Sequence, residues 1–364
     1  MPRARRGAHA PGAAPVRLVI APEPAPWLPR LSSLLGEGPP AQVLAPWSLP
    51  EGPEQWGALP SRLRAAWRRR TVPEATPHRV WGLPGWWAVE AGLRWSGRSA
   101  AAAFSSRFLL REWVARAVAP LLPARVETVI APSLCARELF AVARRQGARC
   151  VLVEDLPSLR QLHADLDEAA SHHPEEAFLR NHRARAADVA RQEAERVLAD
   201  EIWVRGGFLR EHLVASGCAR ERLRELRVHE EPEPPAPRAS GGAERVALLA
   251  GPALARSGLR EALAILEARP RWRLWVRPTE GTDLRGLDHP RLTRVTAHTQ
   301  RALHGVDAVL ALSWCESYPV ELALAAARGI PIIATDRASG FHSCHEVPRG
   351  DVPAMLSRLD ALDG

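Results

Sequence analysis

Short, nearly continuous apolar runs recur along this chain and divide it into two similar halves. In the first half, residues 16–21 (VRLVIA), 127–131 (ETVIA) and 149–154 (RCVLVE) have the length and composition of strands buried on both faces. Helical spacing occupies residues 99–122 and 136–146 between them. Strands alternating with helices over short connections predict a parallel sheet. The region from residue 22 to about 98 is rich in Pro and Trp and reads as irregular. A helical stretch follows at 159–199, expected to break near Pro174, then a strand at 201–204 and a helix ending at Gly217. The second half repeats the alternation. It has a strand at 245–250 (RVALLA), a helix at 258–268, strands at 273–277 and 292–297, and a buried strand at 308–313. A small-residue helix (319–328), Gly329 and a last buried strand (331–336) complete it.

Residues 229–244 (HEEPEPPAPRASGGAE) concentrate Pro, Gly and acidic side chains. That composition cannot build a core and reads as an interdomain linker. The expected division is a disordered leader (1–15), a first domain (16–228), the linker, and a second domain (245–364). A length of 364 residues suits two domains, and 46% hydrophobic residues supply a core for each.

Charge narrows the partners. All 49 basic residues are arginine, against 41 acidic ones, for a net charge of +8. With abundant Ala, Leu and Pro, this matches the codon bias of a GC-rich genome. A nucleic-acid binder would cluster its arginines with stacking aromatics in a known module, and none is legible, so no nucleic-acid partner is expected. The excess would still draw in an anionic nucleotide or favour contact with an acidic membrane surface. Five cysteines without a CxxC pair point to a reducing, cytoplasmic location rather than a disulfide scaffold. The run Val16 to Ala21 is too short for a signal-peptide core, and no apolar run reaches the roughly 18 residues of a membrane helix.

The chemistry concentrates in Val306 to Asp336. Glu316 follows the carboxyl end of a strand at the mouth of a helix, where open α/β sheets bind ligands. Ser313, Glu316, Tyr318, Ala325, Ala327, Gly329 and Pro331 together resemble the donor-sugar motif of family 4 glycosyltransferases. Two further pieces resemble the same family in the right order. One is Ala199, Asp200, Gly206, Phe208 and Gly217; the other is residues 346–362 (EVPRGDVPAMLSRLDAL). The resemblance covers about residues 120–362.

It implies an α/β protein of two Rossmann-like domains facing a central cleft, the GT-B fold. It also implies metal-independent, retaining transfer of a sugar from a nucleotide-diphosphate donor to a glycan or lipid-linked acceptor, without a cofactor. By this resemblance Glu316 contacts donor-sugar hydroxyls and the turn Gly251 to Gly258 cradles the diphosphate. Ser313, Ser317 and Tyr318 line the same pocket. A glycine turn at a helix amino terminus suits an anion on physical grounds too.

The chain departs from the family at three positions. Pro252 and Ser257 stand where the family has arginine and lysine, so Arg256 is the only cation in the turn. The second glutamate of the motif is Leu324, and the nearest acid is Glu321, on another helix face. These departures keep open a second reading, a non-catalytic GT-B protein that binds or assembles.

Other candidates carry bland alternatives. Glu316 and Ser317 could simply cap a helix. Asp155, after the strand at 149–154, could orient the acceptor or start a helix. Asp165 and Asp167 form a D-x-D string, but positions i and i+2 diverge on a helix, and no metal site is expected. His342-Ser-Cys-His345 makes no complete zinc site. The tryptophans from Trp81 to Trp95 could form an acceptor platform, a membrane contact or plain packing.

Overall fold

The computed structural model describes residues 16–22, 35, 40–45, 79–81, 100–226, 244–278, 289–295, 303–315, 320–338 and 344–363. Two all-parallel sheets organise them. The first contains β1 (Val16–Ile20), β2 (Gln42–Leu44), β3 (Arg79–Trp81), β4 (Val126–Pro132), β5 (Arg149–Glu154), β6 (Glu201–Val204) and β7 (Leu223–Glu225), in the order 3-2-1-4-5-6-7. The second contains β8 (Arg245–Pro252), β9 (Trp272–Arg277), β10 (Leu292–Arg294), β11 (Ala308–Ala311), β12 (Ile332–Thr335) and β13 (His345–Val347), in the order 10-9-8-11-12-13. Each order reverses once, between β1 and β4 and between β8 and β11. Ligand crevices of doubly wound sheets open at such points, outside the carboxyl ends of the strands.

Parallel strands need crossovers, and the helices supply them. They are α1 (Ala100–Val118), α2 (Arg137–Arg145), α3 (Leu159–His172), α4 (Ala177–Asn181), α5 (Ala186–Leu198), α6 (Gly207–Ala215), α7 (Leu259–Ala268), α8 (Val320–Ala327) and α9 (Val352–Asp363). Each sheet is buried on both faces. Leu18, Val129, Leu152 and Ile202 pack one way against Leu139 and Phe140 of α2, while Val19, Ile130, Val151 and Trp203 pack the other. In the second sheet, Leu249, Leu274 and Leu310 meet Ile265 of α7 and Met355 of α9. Leu248, Val309 and Ile332 meet Leu322 and Leu324 of α8. The continuous apolar runs of the sequence follow from this double burial.

Four strands are not visible in the apolar pattern: β2 and β3 in the Pro- and Trp-rich region, β7 and β13. Each is three residues long and is recruited by its neighbour's backbone, as in Gln42–Leu44 beside Leu18–Ile20. The long helical stretch is also corrected. It breaks at Pro174 as expected and again at residues 182–185, giving three helices. At the second break the Asp188 carboxylate accepts the Arg185 backbone N–H at 3.1 Å, a cap that starts α5 anew.

Among the described residues no helix is long and apolar enough to cross a membrane. No three His, Cys, Asp or Glu among them come together to hold a metal. Asp165 and Asp167 part as helical geometry requires: Asp165 is buried, and Asp167 pairs with Arg183 in solvent at 2.5 Å.

Candidate functional site

The two crevices face each other. Leu134, just past β4, shares one apolar cluster with Trp314 and Cys315, just past β11, and with Ala255 in the turn after β8. Phe108 of α1 and Leu159, Leu162, Leu166 and Ala169 of α3 complete it. The carboxyl ends of the strands in both sheets therefore meet at this seam.

On the second-sheet side the turn after β8 is built around two left-handed glycines, Gly251 (φ 81°) and Gly258 (φ 85°). Gly258 also sits against the end of β11: a Cβ there would lie 2.4 Å from the Leu312 Cβ and carbonyl oxygen. Only glycine fits. Beyond it α7 begins, its Leu259 N–H bonded to the Leu254 carbonyl at 3.4 Å and the next N–H groups of its first turn without a partner inside the helix. The turn is tied down by backbone, because the Arg256 carbonyl accepts both the Trp314 N–H (3.0 Å) and the Ser313 hydroxyl (3.1 Å). The Ser313 hydroxyl also lies 2.7 Å from the Cys315 carbonyl, and Thr335 donates to the Ser313 carbonyl at 2.7 Å. Ser313 thus braces the strand end and is buried.

The Arg256 side chain is the charge in this turn. Its Nε is buried with no hydrogen-bond partner, and no carboxylate among the described residues pairs with it. Burial lowers its pKa; Cys315 opposes this in part, and Arg107 adds a smaller push downward. Burial also pushes the Cys315 thiol up to about 12, so it is no nucleophile.

Glu316, Ser317 and Tyr318 lie outside the described residues, as do His342 and the tryptophans at 86, 87 and 95. Leu324, at the position of the motif's second glutamate, is fully buried in the apolar core of α8. Glu321 is buried one turn earlier and is ion-paired to Arg277 at the end of β9, at 2.7 Å.

On the first-sheet side, Asp155 follows β5 and does not start a helix. Arg111 of α1 grips its carboxylate through two hydrogen bonds, 2.9 and 2.8 Å, and donates a third to the Ser133 carbonyl at 2.8 Å. The turn after β4 is strained: Leu134 has φ 67° without being glycine. Glu195 of α5 holds it there. Its carboxylate accepts the N–H of Leu134, Ala136 and Arg137 at 2.5, 2.9 and 3.0 Å, and so fills the amino terminus of α2 with an internal anion.

Sequence reasoning did not reach the residues that join the halves. Trp314 is fully buried between His172 and His173, with ring centroids at 4.7 and 5.8 Å. Gly350 lies under its ring, where a Cβ would come within 2.8 Å. The Trp314 indole donates to Glu261 (2.7 Å), which His173 also meets (2.8 Å). Arg337 grips Asp165 of α3 at 3.0 to 3.1 Å and lies 3.9 Å over the Phe208 ring. The family-like positions Phe208 and Gly350 thus serve the seam between domains. Asp200 serves the first sheet, accepting the Cys150 N–H at 2.8 Å.

No protein-family model matches the chain. No curated protein matches its sequence. Solved structures do match its fold. Sucrose-phosphate synthase from Thermosynechococcus elongatus has a TM-score of 0.56 and 13% identity, covering 96% of this chain and 89% of its own. HepE of Anabaena in complex with UDP has a TM-score of 0.56 and 9% identity, with 95% and 89% covered. OtsA has a TM-score of 0.57 and 12% identity, with 96% and 91% covered. Two doubly wound sheets, meeting at their strand ends and matched nearly end to end by these structures, give this chain the GT-B fold of two Rossmann-like domains.

Proposed function

We propose that the chain transfers a sugar from a nucleotide-diphosphate donor to a glycan or lipid-linked acceptor, with retention and without a metal or cofactor. The observation that carries this reading is Arg256. The Arg256 Nε is buried without a hydrogen-bond partner, and no carboxylate among the described residues pairs with the guanidinium, an arrangement that is costly to keep unless an anion meets it. It stands in a glycine turn at a helix amino terminus, at the point where the strand order reverses. A diphosphate supplies the missing charge, and the free N–H groups of α7 add to its binding. HepE, which has this fold, is described in complex with UDP, which favours a nucleotide donor here.

In this reading Gly251, Gly258 and Arg256 hold the diphosphate, and Glu316 holds sugar hydroxyls. Ser317 and Tyr318 line the donor pocket, and Ser313 keeps its wall in place. Asp155, fixed by Arg111, orients the acceptor from the first domain (16–228) across the seam to the second (245–364). The acceptor oxygen bonds to the anomeric carbon on the face that the diphosphate leaves, and the hydroxyl proton passes to the departing phosphate oxygen. Work in the cytoplasm fits the reduced cysteines this reading assumes.

Two observations favour the non-catalytic reading. Leu324 is packed in the core where the motif has a second carboxylate, and Ser257 is buried where it has a lysine. Arg256 is then the sole cation of the turn, and electrostatic stabilisation of a leaving diphosphate is the weaker for it.

A thermal-shift screen against nucleotide diphosphates and nucleotide sugars separates the two. A donor at about 100 times its Kd should add roughly 2.7 kcal/mol of apparent stability. The transferase reading expects a selective shift with one nucleotide sugar. It also expects transfer that is lost in Glu316→Ala while the Tm is kept. Undiminished transfer by that variant would refute the assigned role of Glu316. A folded protein with no shift from any nucleotide would favour the binding reading.

A further inference from the structure

Helix α1 keeps an apolar stripe in solvent. Leu109 and Trp113, four residues apart, are 40% and 67% exposed, and Leu121 in the single 3-10 turn after the helix is 76% exposed. Ala117, four residues beyond Trp113, is exposed as well. The other side of the helix is ordinary core, with Val114, Ala115 and Val118 packed on α2 and Phe108 in the seam. An exposed tryptophan aligned with leucines on one helix face marks a contact surface.

The border of the stripe is predominantly basic, although Arg116 is ion-paired to Glu112 (2.5 Å) and Glu138 (3.7 Å), and Arg144 lies 3.6 Å from Asp200. Arg107, Arg116 and Arg125 are exposed along it. The single acid between residues 107 and 125, Glu112, is partly buried and turned toward Arg116, Arg185 and Arg191. The adjoining α2 adds exposed Arg137, Arg144 and Arg145.

We propose that this face of α1 docks the protein on an anionic lipid bilayer, with Trp113, Leu109 and Leu121 in the headgroup layer and the arginines on lipid phosphates. Trp and Leu above an arginine border is the composition of an interfacial helix. A second copy of the chain fits poorly. A two-fold interface would set the same arginines against each other. Three large apolar side chains also fall short of the roughly 800 Å² per partner that a stable protein interface buries. The inference is independent of the transferase reading, because no residue of the donor site takes part.

Cosedimentation of the full chain with vesicles tests it. Phosphatidylcholine vesicles carrying about a third phosphatidylglycerol should bind about tenfold more protein than pure phosphatidylcholine. Raising salt from about 0.1 to about 0.5 M should weaken that binding. Trp113→Glu with Leu121→Glu should leave the protein in the supernatant at an unchanged Tm. Arg116→Glu with Arg125→Glu should lose the preference for the anionic vesicles. Equal pelleting of wild type and both variants would overturn the proposal. So would a wild type that ignores both vesicles but forms a dimer broken by Trp113→Glu.

Discussion

At the scale of single residues, the donor-side turn depends on glycines that differ in kind. Gly258 and Gly217 are both left-handed, at φ 85° and 89°. A Cβ at Gly217 would meet nothing within 4 Å, whereas one at Gly258 would strike the Leu312 backbone at 2.4 Å. Gly217→Ala therefore carries only the conformational cost, about 1–2 kcal/mol. Gly258→Ala carries that cost and must also move the end of β11, taking Ser313 and Trp314 with it. Chemical denaturation of the two variants should show Gly258→Ala losing at least about 2 kcal/mol more, in the range of overpacked cores. Equal losses would mean that β11 yields at no cost and that the turn is not held against it.

At the scale of elements, the short helix α4 closes the far end of α3 over the turn after β8. Its cap residue His182 is buried and stacks on Phe178 at 4.8 Å. Burial, then Arg256, Arg183 and His163, push its pKa down to about 3 from an ordinary 6.5. A group depressed in the folded state stabilises fully above its unfolded pKa and loses that contribution as pH falls toward the folded value. The loss thus begins near pH 6.5 and, by pH 5, amounts to about 2 kcal/mol. Thermal melts of wild type and His182→Gln between pH 7 and 5 should diverge in that window, with the variant flatter. Parallel curves would show that His182 takes up its proton without breaking its packing.

The same elements show what a sequence can disclose. Strands β5 and β6 match the apolar runs to the residue, because burial on both faces leaves few polar positions. The strands β2, β3, β7 and β13 owe their pairing to a neighbour's hydrogen bonds, and three residues are too few to set a period. The turn Gly251 to Gly258 was legible as a glycine pattern. The Arg111 grip on Asp155 was not, since the two are 44 positions apart and an ion pair leaves no periodic trace.

At the scale of the molecule, the domains are joined by charge placed out of water. Asp165 is 1% exposed and receives Arg337 and Arg349, 172 and 184 positions away, with Gln161 completing its shell at 2.9 Å. Around it, Arg349 reaches Glu168 (2.8 Å), Arg260 reaches Glu176 (2.6 Å) and Trp314 packs against His172 and His173 at the end of α3. Such pairs stabilise little against a well-packed apolar replacement, but removing one partner leaves a buried charge unmet. Arg349 and Gln161 stay on Asp165, so Arg337→Ala should cost less than the roughly 3–5 kcal/mol of a wholly unmet buried charge. Because the lost contact lies between domains, the cost should appear as uncoupling, with one calorimetric transition in wild type and two in the variant. The double variant Asp165→Leu/Arg337→Met removes both charges and should regain most of the loss. A single, unshifted transition in Arg337→Ala would show that the seam is held by Trp314 and its apolar cluster, with the ion pairs as passengers.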